Sequence, residues 1–189
     1  MTRKQLSALM NKSLTLKQRL TGFPGRCKAP LRGPRSAIST KYAFWSFVSG
    51  SVAILTILKI TDLVGHPLLI GSFGASAVLL FGANDSPLAQ PRNLIGGHVV
   101  SAVVAVIIVA LFGSNQLSIA MGVGLAIFAM NLTHTTHPPG GATALIGIQG
   151  AVGPDFILVP VLAGAMILLA TALFTNNVVY HRRYPNHWF

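Results

Sequence analysis

The chain has 189 residues, of which 52% are hydrophobic and only 9% charged, against about a quarter charged in soluble domains. Ten of the 14 Lys/Arg lie in residues 1–41, which hold no acid, so the net charge of +11 belongs to the flanks. A soluble enzyme and a nucleic-acid-binding domain are therefore excluded, and the basic excess reads as the cytoplasmic flank of an integral membrane protein.

Residues 1–41 are basic and broken by Pro24, Pro30 and Pro34. We expect a largely disordered tail, with a short amphipathic helix over Gln5 to Leu20, serving as a bacterial cytoplasmic tail or an organellar transit peptide. No apolar core begins before Ala43, so a secretory signal peptide is not expected. Cys27 is the single cysteine, which excludes an internal disulfide framework.

Ala43 to Leu58 is the first predicted span, opened by Phe44, Trp45 and Phe47, with Lys59 snorkelling at its end. Pro67 to Gly82 is short and rich in Gly and Ala. Ala83 to Asn93 is a polar loop. Leu94 to Gly113 and Leu117 to Thr133 are full spans. The segment 131–150 then breaks the helix. Pro138 and Pro139 cannot continue it, and Gly140 and Gly141 free the backbone. The expected break carries His134 and His137, and a short helix over Ala142 to Ile148 follows, with Thr143 in its first turn. After a loop at Gly150 to Asp155, Phe156 to Thr175 is the last span. Residues 42–180 thus form the membrane domain and 181–189 a basic C-terminal tail.

The pattern repeats. Gly74-Ala75-Ser76-Ala77-Val78-Leu79 follows His66-Pro67, and Gly141-Ala142-Thr143-Ala144-Leu145-Ile146 follows His137-Pro138. Each unit is a long span, a short Gly/Ala helix and a long span, over roughly 43–113 and 117–175. The fold class is an all-α membrane bundle of two internal repeats, with four full spans plus two short helices, or six spans. Six spans make the repeats inverted and put Arg92 on the side of both termini; re-entrant short helices put it on the other side. The positive-inside rule weakly favours six. Gly97, Ser101 and Ala105 fall on one helical face, as do Ala120 with Gly124 and Gly122 with Ala126, and such residues allow close helix packing in lipid.

Ionisable groups at membrane depth are functional candidates. His98 lies four residues into a span, His66 opens the first break, and His134 and His137 flank the second. Three readings stand: a permeation or substrate site, histidines capping carbonyls freed by proline, or a metal set built from His134 and His137 with His66 and His98. Arg92 suits a pore mouth or an ion pair with Asp85, and Asn93 suits a helix cap. There is no nucleophile elbow, no phosphate loop followed by Lys and no carboxylate pair, so no enzyme and no cofactor are expected. What remains is two half-helix N-termini with glycines and hydroxyls, which suits a small anion.

The run His137-Pro138-Pro139-Gly140-Gly141-Ala142-Thr143-Ala144-Leu145 resembles the signature of the HPP family of integral membrane proteins. Residues 71–77 and 86–98 resemble its other shared blocks, so the resemblance covers about residues 42–185. It implies a transporter or channel. The family is described as having four transmembrane helices, and its cyanobacterial and chloroplast members are associated with nitrite. The resemblance makes nitrite the leading substrate. On this reading the substrate-binding residues are His98, His137, Gly140, Gly141, Thr143, Ser76, Arg92, Gly74 and His134. The expected partners are the lipid bilayer, the anion and further copies of the chain in a homo-oligomer, with no nucleic acid. The expected location is a bacterial inner membrane with both termini cytoplasmic, or else the chloroplast inner envelope. A non-transporting membrane scaffold and a His-based membrane metalloprotein are the competing readings.

Overall fold

A computed structural model describes residues 39–179 and 182–189. The amphipathic helix and transit-peptide expectations for residues 1–38 lie outside them. The described residues are all helical or irregular, and six helices follow in order: α1 (Thr40–Val64), α2 (Gly71–Ala77, continued by a π-helical turn Val78–Gly82), α3 (Pro91–Phe112), α4 (Gln116–Leu132), α5 (Pro138–Gln149) and α6 (Ala163–Val178, preceded by a π-helical segment Ile157–Leu162).

Local chemistry sets these boundaries. Ser39 Oγ accepts the Tyr42 N–H at the start of α1, and Gly65 ends it in a left-handed conformation at φ 69°. The first span is therefore longer than Ala43 to Leu58. Lys59 lies inside it, on an exposed face 3.4 Å from Asp62, rather than at its end. Pro91 occupies the first turn of α3, where a missing N–H costs nothing, so α3 starts before Leu94. Asn93 consequently caps nothing; its Nδ2 donates to the Thr136 carbonyl at 2.7 Å. Asn115 caps α4 by accepting the Ser118 N–H at 2.9 Å.

The second break is also shorter than its composition predicts. Pro138 and Pro139 are the first residues of α5, not part of the loop, and Gly140 and Gly141 are already helical. Thr143 therefore sits in the second turn of α5. Helix α2 likewise begins at Gly71, which puts Gly74 to Ser76 inside it.

The helices run alternately between two ends of the bundle. At one end the start of α1 meets the end of α2, where Tyr42 Oη donates to Asn84 Oδ1 at 2.7 Å. The start of α3 meets the end of α4 there, through Arg92 Nη2 and the Thr133 carbonyl at 3.0 Å. The segment after α6 returns to the same end, where Arg182 Nη2 donates to the Tyr42 carbonyl at 2.7 Å. At the other end Leu68 N–H donates to Thr61 Oγ1 at 3.2 Å, and a cavity of about 530 Å³ is lined by His66 and Pro67 together with residues from Val152 to Pro160. Six traverses satisfy these contacts. A re-entrant α2, returning to the end it entered from, does not.

Helices α1, α3 and the 22-residue segment Ile157–Val178 are long and apolar enough to cross a membrane, while Gly71–Gly82 and Gln116–Leu132 are shorter apolar helices. The lipid-facing surface follows from exposed apolar side chains such as Leu55, Leu111, Leu125, Phe128 and Phe174.

Packing exchanges the third helix of each repeat. One apolar cluster joins α1, α2 and α6 through Ile57, Phe73, Leu80 and Leu168. A second joins α3, α4 and α5 through Ala105, Ile108, Ala126 and Ile148. Small residues make the α3, α4 and α5 contacts possible. A Cβ on Gly122 would stand 2.1 Å from Ile148 Cδ1, and one on Gly147 would stand 2.8 Å from Ala105 Cβ. Of the two small-residue pairs on α4, Gly122 with Ala126 packs inward, whereas Ala120 with Gly124 is exposed.

The basic segment after the last span packs as well. Arg182 is buried, with its guanidinium 3.9 Å above the Tyr42 ring. Its Nη1 donates to the Phe81 carbonyl at 2.9 Å, and Asn176 Nδ2 donates to the Leu80 carbonyl at 3.0 Å. These groups satisfy carbonyls that the π-helical end of α2 leaves free, and a cation there also suits the negative end of a helix. Burial lowers the Arg182 pKa from the ordinary arginine value.

Candidate functional site

Five polar side chains meet at the centre of the bundle, and none is more than 1% exposed: Ser72 and Ser76 from α2, His98 from α3, His137 at the cap of α5, and Thr143 from α5. Ser72 and Ser76 are four apart, so one face of α2 presents both. His98 is two turns into α3 because Pro91 starts that helix early. His137 is held in extended backbone by the proline that follows it.

The contacts are short and continuous. Ser76 Oγ lies 2.8 Å from His98 Nε2 and 2.9 Å from His137 Nε2. His98 Nδ1 lies 2.7 Å from Thr143 Oγ1, which donates to Ser72 Oγ at 2.8 Å. His137 Nδ1 lies 2.8 Å from the Leu88 carbonyl. A carbonyl only accepts, so that nitrogen carries a proton. The two imidazoles stand edge to face with centroids 4.9 Å apart, and Phe73 presents its edge to His98 at 5.1 Å.

Ser76 and Thr143 are the equivalent residues of the two repeats, and they hold the two nitrogens of one imidazole. Glycines bring the backbones this close. A Cβ on Gly97 would stand 2.4 Å from His137 Cβ, and one on Gly140 would stand 2.8 Å from both the Gly97 carbonyl oxygen and Ser101 Oγ.

The structure thus gathers His98, His137, Thr143 and Ser76. Gly140 lines the helix contact beside them. Gly141 is half-buried and Gly74 is exposed, each with open space where a Cβ would go. Arg92 is exposed at the end of the bundle and bonds to the Thr133 carbonyl, not to Asp85. His134 is exposed with φ 54°, and His66 lies at the opposite end of the bundle. Among the described residues no three His, Cys, Asp or Glu side chains are placed to hold a metal ion.

The donors available to an anion also differ from the expected backbone amides. Two of the first N–H positions of α5 belong to prolines, and the Gly140 N–H donates to the His137 carbonyl at 2.8 Å. The hydroxyls and imidazoles are the groups this site offers. Ser72 completes the cluster and was not singled out from sequence, although its spacing of four from Ser76 was visible.

The family model described as HPP, transmembrane region, matches residues 35–185. A transmembrane protein of Dictyostelium discoideum is 41% identical over 197 aligned positions, covering 98% of this chain and 62% of that protein. A second Dictyostelium discoideum transmembrane protein is 54% identical over 129 positions, covering 64% of this chain and 45% of its own length. The chain therefore spans about half to two thirds of the curated relatives it matches. No solved structure matches.

Proposed function

The chain belongs to the HPP transmembrane family, and we propose that it is an integral membrane transporter or channel for a small inorganic anion, with nitrite the leading substrate. The observation that carries this reading is the closed set Ser76, His98, His137 and Thr143, built from both repeats at the centre of an apolar bundle. Buried polar groups in a membrane are costly and are kept where they serve passage or binding. A planar anion accepts hydrogen bonds, and imidazole N–H and hydroxyl groups replace part of its water shell. The site is sealed as it stands, so passage requires α2 to move against α3 and α5.

The positive-inside rule supports a cytoplasmic location for the end of the bundle that carries Arg92 and Arg182. A bacterial inner membrane is the first setting and the chloroplast inner envelope the second. The small size of the bundle supports a homo-oligomer.

The test is nitrite uptake by proteoliposomes under an imposed gradient, with formate, nitrate and chloride as competitors and His137→Ala as control. Uptake that needs His137 supports the reading. No flux of any of these anions at verified reconstitution removes it and favours a membrane scaffold.

A further inference from the structure

The Ser76 hydroxyl has one proton and three groups within reach of it, the two imidazole nitrogens and the Ser72 carbonyl at 3.2 Å. That conflict extends along a single file of side chains: Ser72, Thr143, His98, Ser76 and His137, ending on the Leu88 carbonyl. Since His137 Nδ1–H donates to the carbonyl, the file runs between two end arrangements, one neutral and one with an extra proton on His137.

In the first, both imidazoles are neutral. Ser72 donates to Thr143, Thr143 to His98 Nδ1, His98 Nε2–H to Ser76, and Ser76 to His137 Nε2. In the second, each of these bonds is reversed and His137 carries an extra proton on Nε2.

A shift of one proton at each contact converts the second arrangement into the first. His137 Nε2–H passes to Ser76, Ser76 to His98 Nε2, His98 Nδ1–H to Thr143, and Thr143 to Ser72, whose own proton is taken by water once α2 moves to open the site. One N–H or O–H bond breaks and one forms at each step, and no electrons are exchanged. The file also has a direction. Leu88 belongs to the end of the bundle that holds both the start of α1 and the segment after α6, while Ser72 lies in the first turn of α2, toward the other end.

We propose that this hydroxyl–imidazole file carries one exchangeable proton, and that the anion crosses the bundle together with it. The proposal rests on the transport reading above. A proton on His137 cancels the charge of a monovalent anion beside it, which lessens the cost of both in an apolar interior. The surroundings leave this role to the file alone. From α2 the rings meet Phe73 and Ser76, from α5 Thr143, and from the segment before α3 the Leu88 carbonyl. The titratable neighbour of each histidine in this set is the other histidine.

Proteoliposomes that report both internal pH and nitrite uptake test the coupling, with the potential clamped by potassium and valinomycin. Protein-free vesicles give the background of nitrous acid diffusion. We expect uptake that follows an imposed pH gradient, is insensitive to an imposed potential and brings in one proton per nitrite. Ser76→Ala should lower proton influx at least tenfold, and Ser76→Thr, which keeps a hydroxyl, should restore most of it. Nitrite uptake driven by potential without proton influx would overturn the coupling and leave the transport reading standing.

A second readout does not need flux. ¹⁵N NMR of labelled histidines in nanodiscs, carried from about pH 8 down to about pH 3 because burial opposes the charged imidazole, should show His137 gaining its Nε2 proton as His98 changes tautomer. Fixed tautomers throughout would overturn the file itself. Linked changes without any anion flux would keep the proton file and discard the transport reading.

Discussion

The Ser72 hydroxyl on α2 and the Thr143 hydroxyl on α5 meet at 2.8 Å across 71 positions of sequence. Their contact ties the first repeat to the second beside His98. Thr143 is thus a hinge in a hydrogen-bond network as well as a donor. Replacing it with Val keeps the shape but leaves His98 Nδ1 without a partner in a dry site. We expect Thr143→Val to cost about 1–3 kcal/mol of stability and to lower anion uptake at least tenfold, with Thr143→Ser close to wild type. Thermal unfolding in detergent and proteoliposome uptake check both. Equal uptake by the Val variant would remove the hydroxyl from the path.

His137 makes two kinds of contact, with Ser76 at Nε2 and with the Leu88 carbonyl at Nδ1. His137→Ala breaks both, and it should abolish uptake while the protein still inserts in the membrane. His134→Ala, at an exposed position beyond the end of α4, should leave uptake within about twofold. If both variants lose uptake equally, the site is not confined to the buried cluster.

The two neighbouring glycines of α5 should behave oppositely. A Cβ on Gly140 meets the Gly97 carbonyl oxygen at 2.8 Å and Met130 Sδ at 2.9 Å, whereas one on Gly141 meets nothing within 4 Å. Gly140→Ala forces α5 away from α3 and should cost about 1–3 kcal/mol or more. Gly141→Ala removes backbone freedom from a helix and should add about 0.5–1 kcal/mol. A common sign for the two changes in the unfolding midpoint would contradict the packing described.

Several features of this site were legible in the sequence because they are local. The His-Pro and Gly-Ala-hydroxyl repeats marked α2 and α5, and His98 stood out in an apolar span. Helix starts were misplaced because Pro91 was counted in the polar loop and Pro138 read as a breaker, although each fits the first turn, where its missing N–H has no partner to lose. That shift turned an expected amide site into a side-chain site. Arg182 was also hidden. Its partners, Tyr42, Ser46, Phe81 and Asn176, come from three separate helical segments, and only the folded bundle brings them to it. Gln90 is similar: it read as loop, but is buried and donates to the Asn84 and Ser86 carbonyls.

Tyr184 gives the bundle an alkaline limit. Its phenol is buried and donates to the Ala89 carbonyl at 2.7 Å, and burial pushes its pKa above the usual range. The folded state then holds this proton more tightly than the unfolded chain does. The contribution is fully present below the ordinary tyrosine value of about 10 and is lost as pH rises through the folded one. Tyr184→Phe should lower the unfolding midpoint at pH 8 through the lost hydrogen bond. Its midpoint should fall less than that of wild type between pH 8 and pH 11. An unchanged gap between the two proteins across that range would assign the alkaline loss elsewhere.

The alternation of the helices fixes which loops share a side. Asp85, in the segment between α2 and α3, should lie with Asn186 near the C-terminus, because Gln90 Oε1 accepts the Asn186 N–H at 2.9 Å and Tyr42 reaches Asn84. Ser114, between α3 and α4, and Gly153, between α5 and α6, should lie on the opposite side. With Cys27 replaced by Ser, single cysteines at these four positions can be labelled with an impermeant maleimide from either face of a vesicle. Six traverses predict that Asp85→Cys and Asn186→Cys react from one face and Ser114→Cys and Gly153→Cys from the other. Two re-entrant helices predict that Asp85→Cys joins Gly153→Cys, and that Ser114→Cys joins Asn186→Cys. The pairing of Asp85 therefore decides between the two topologies, and with it whether the two repeats are inverted or parallel.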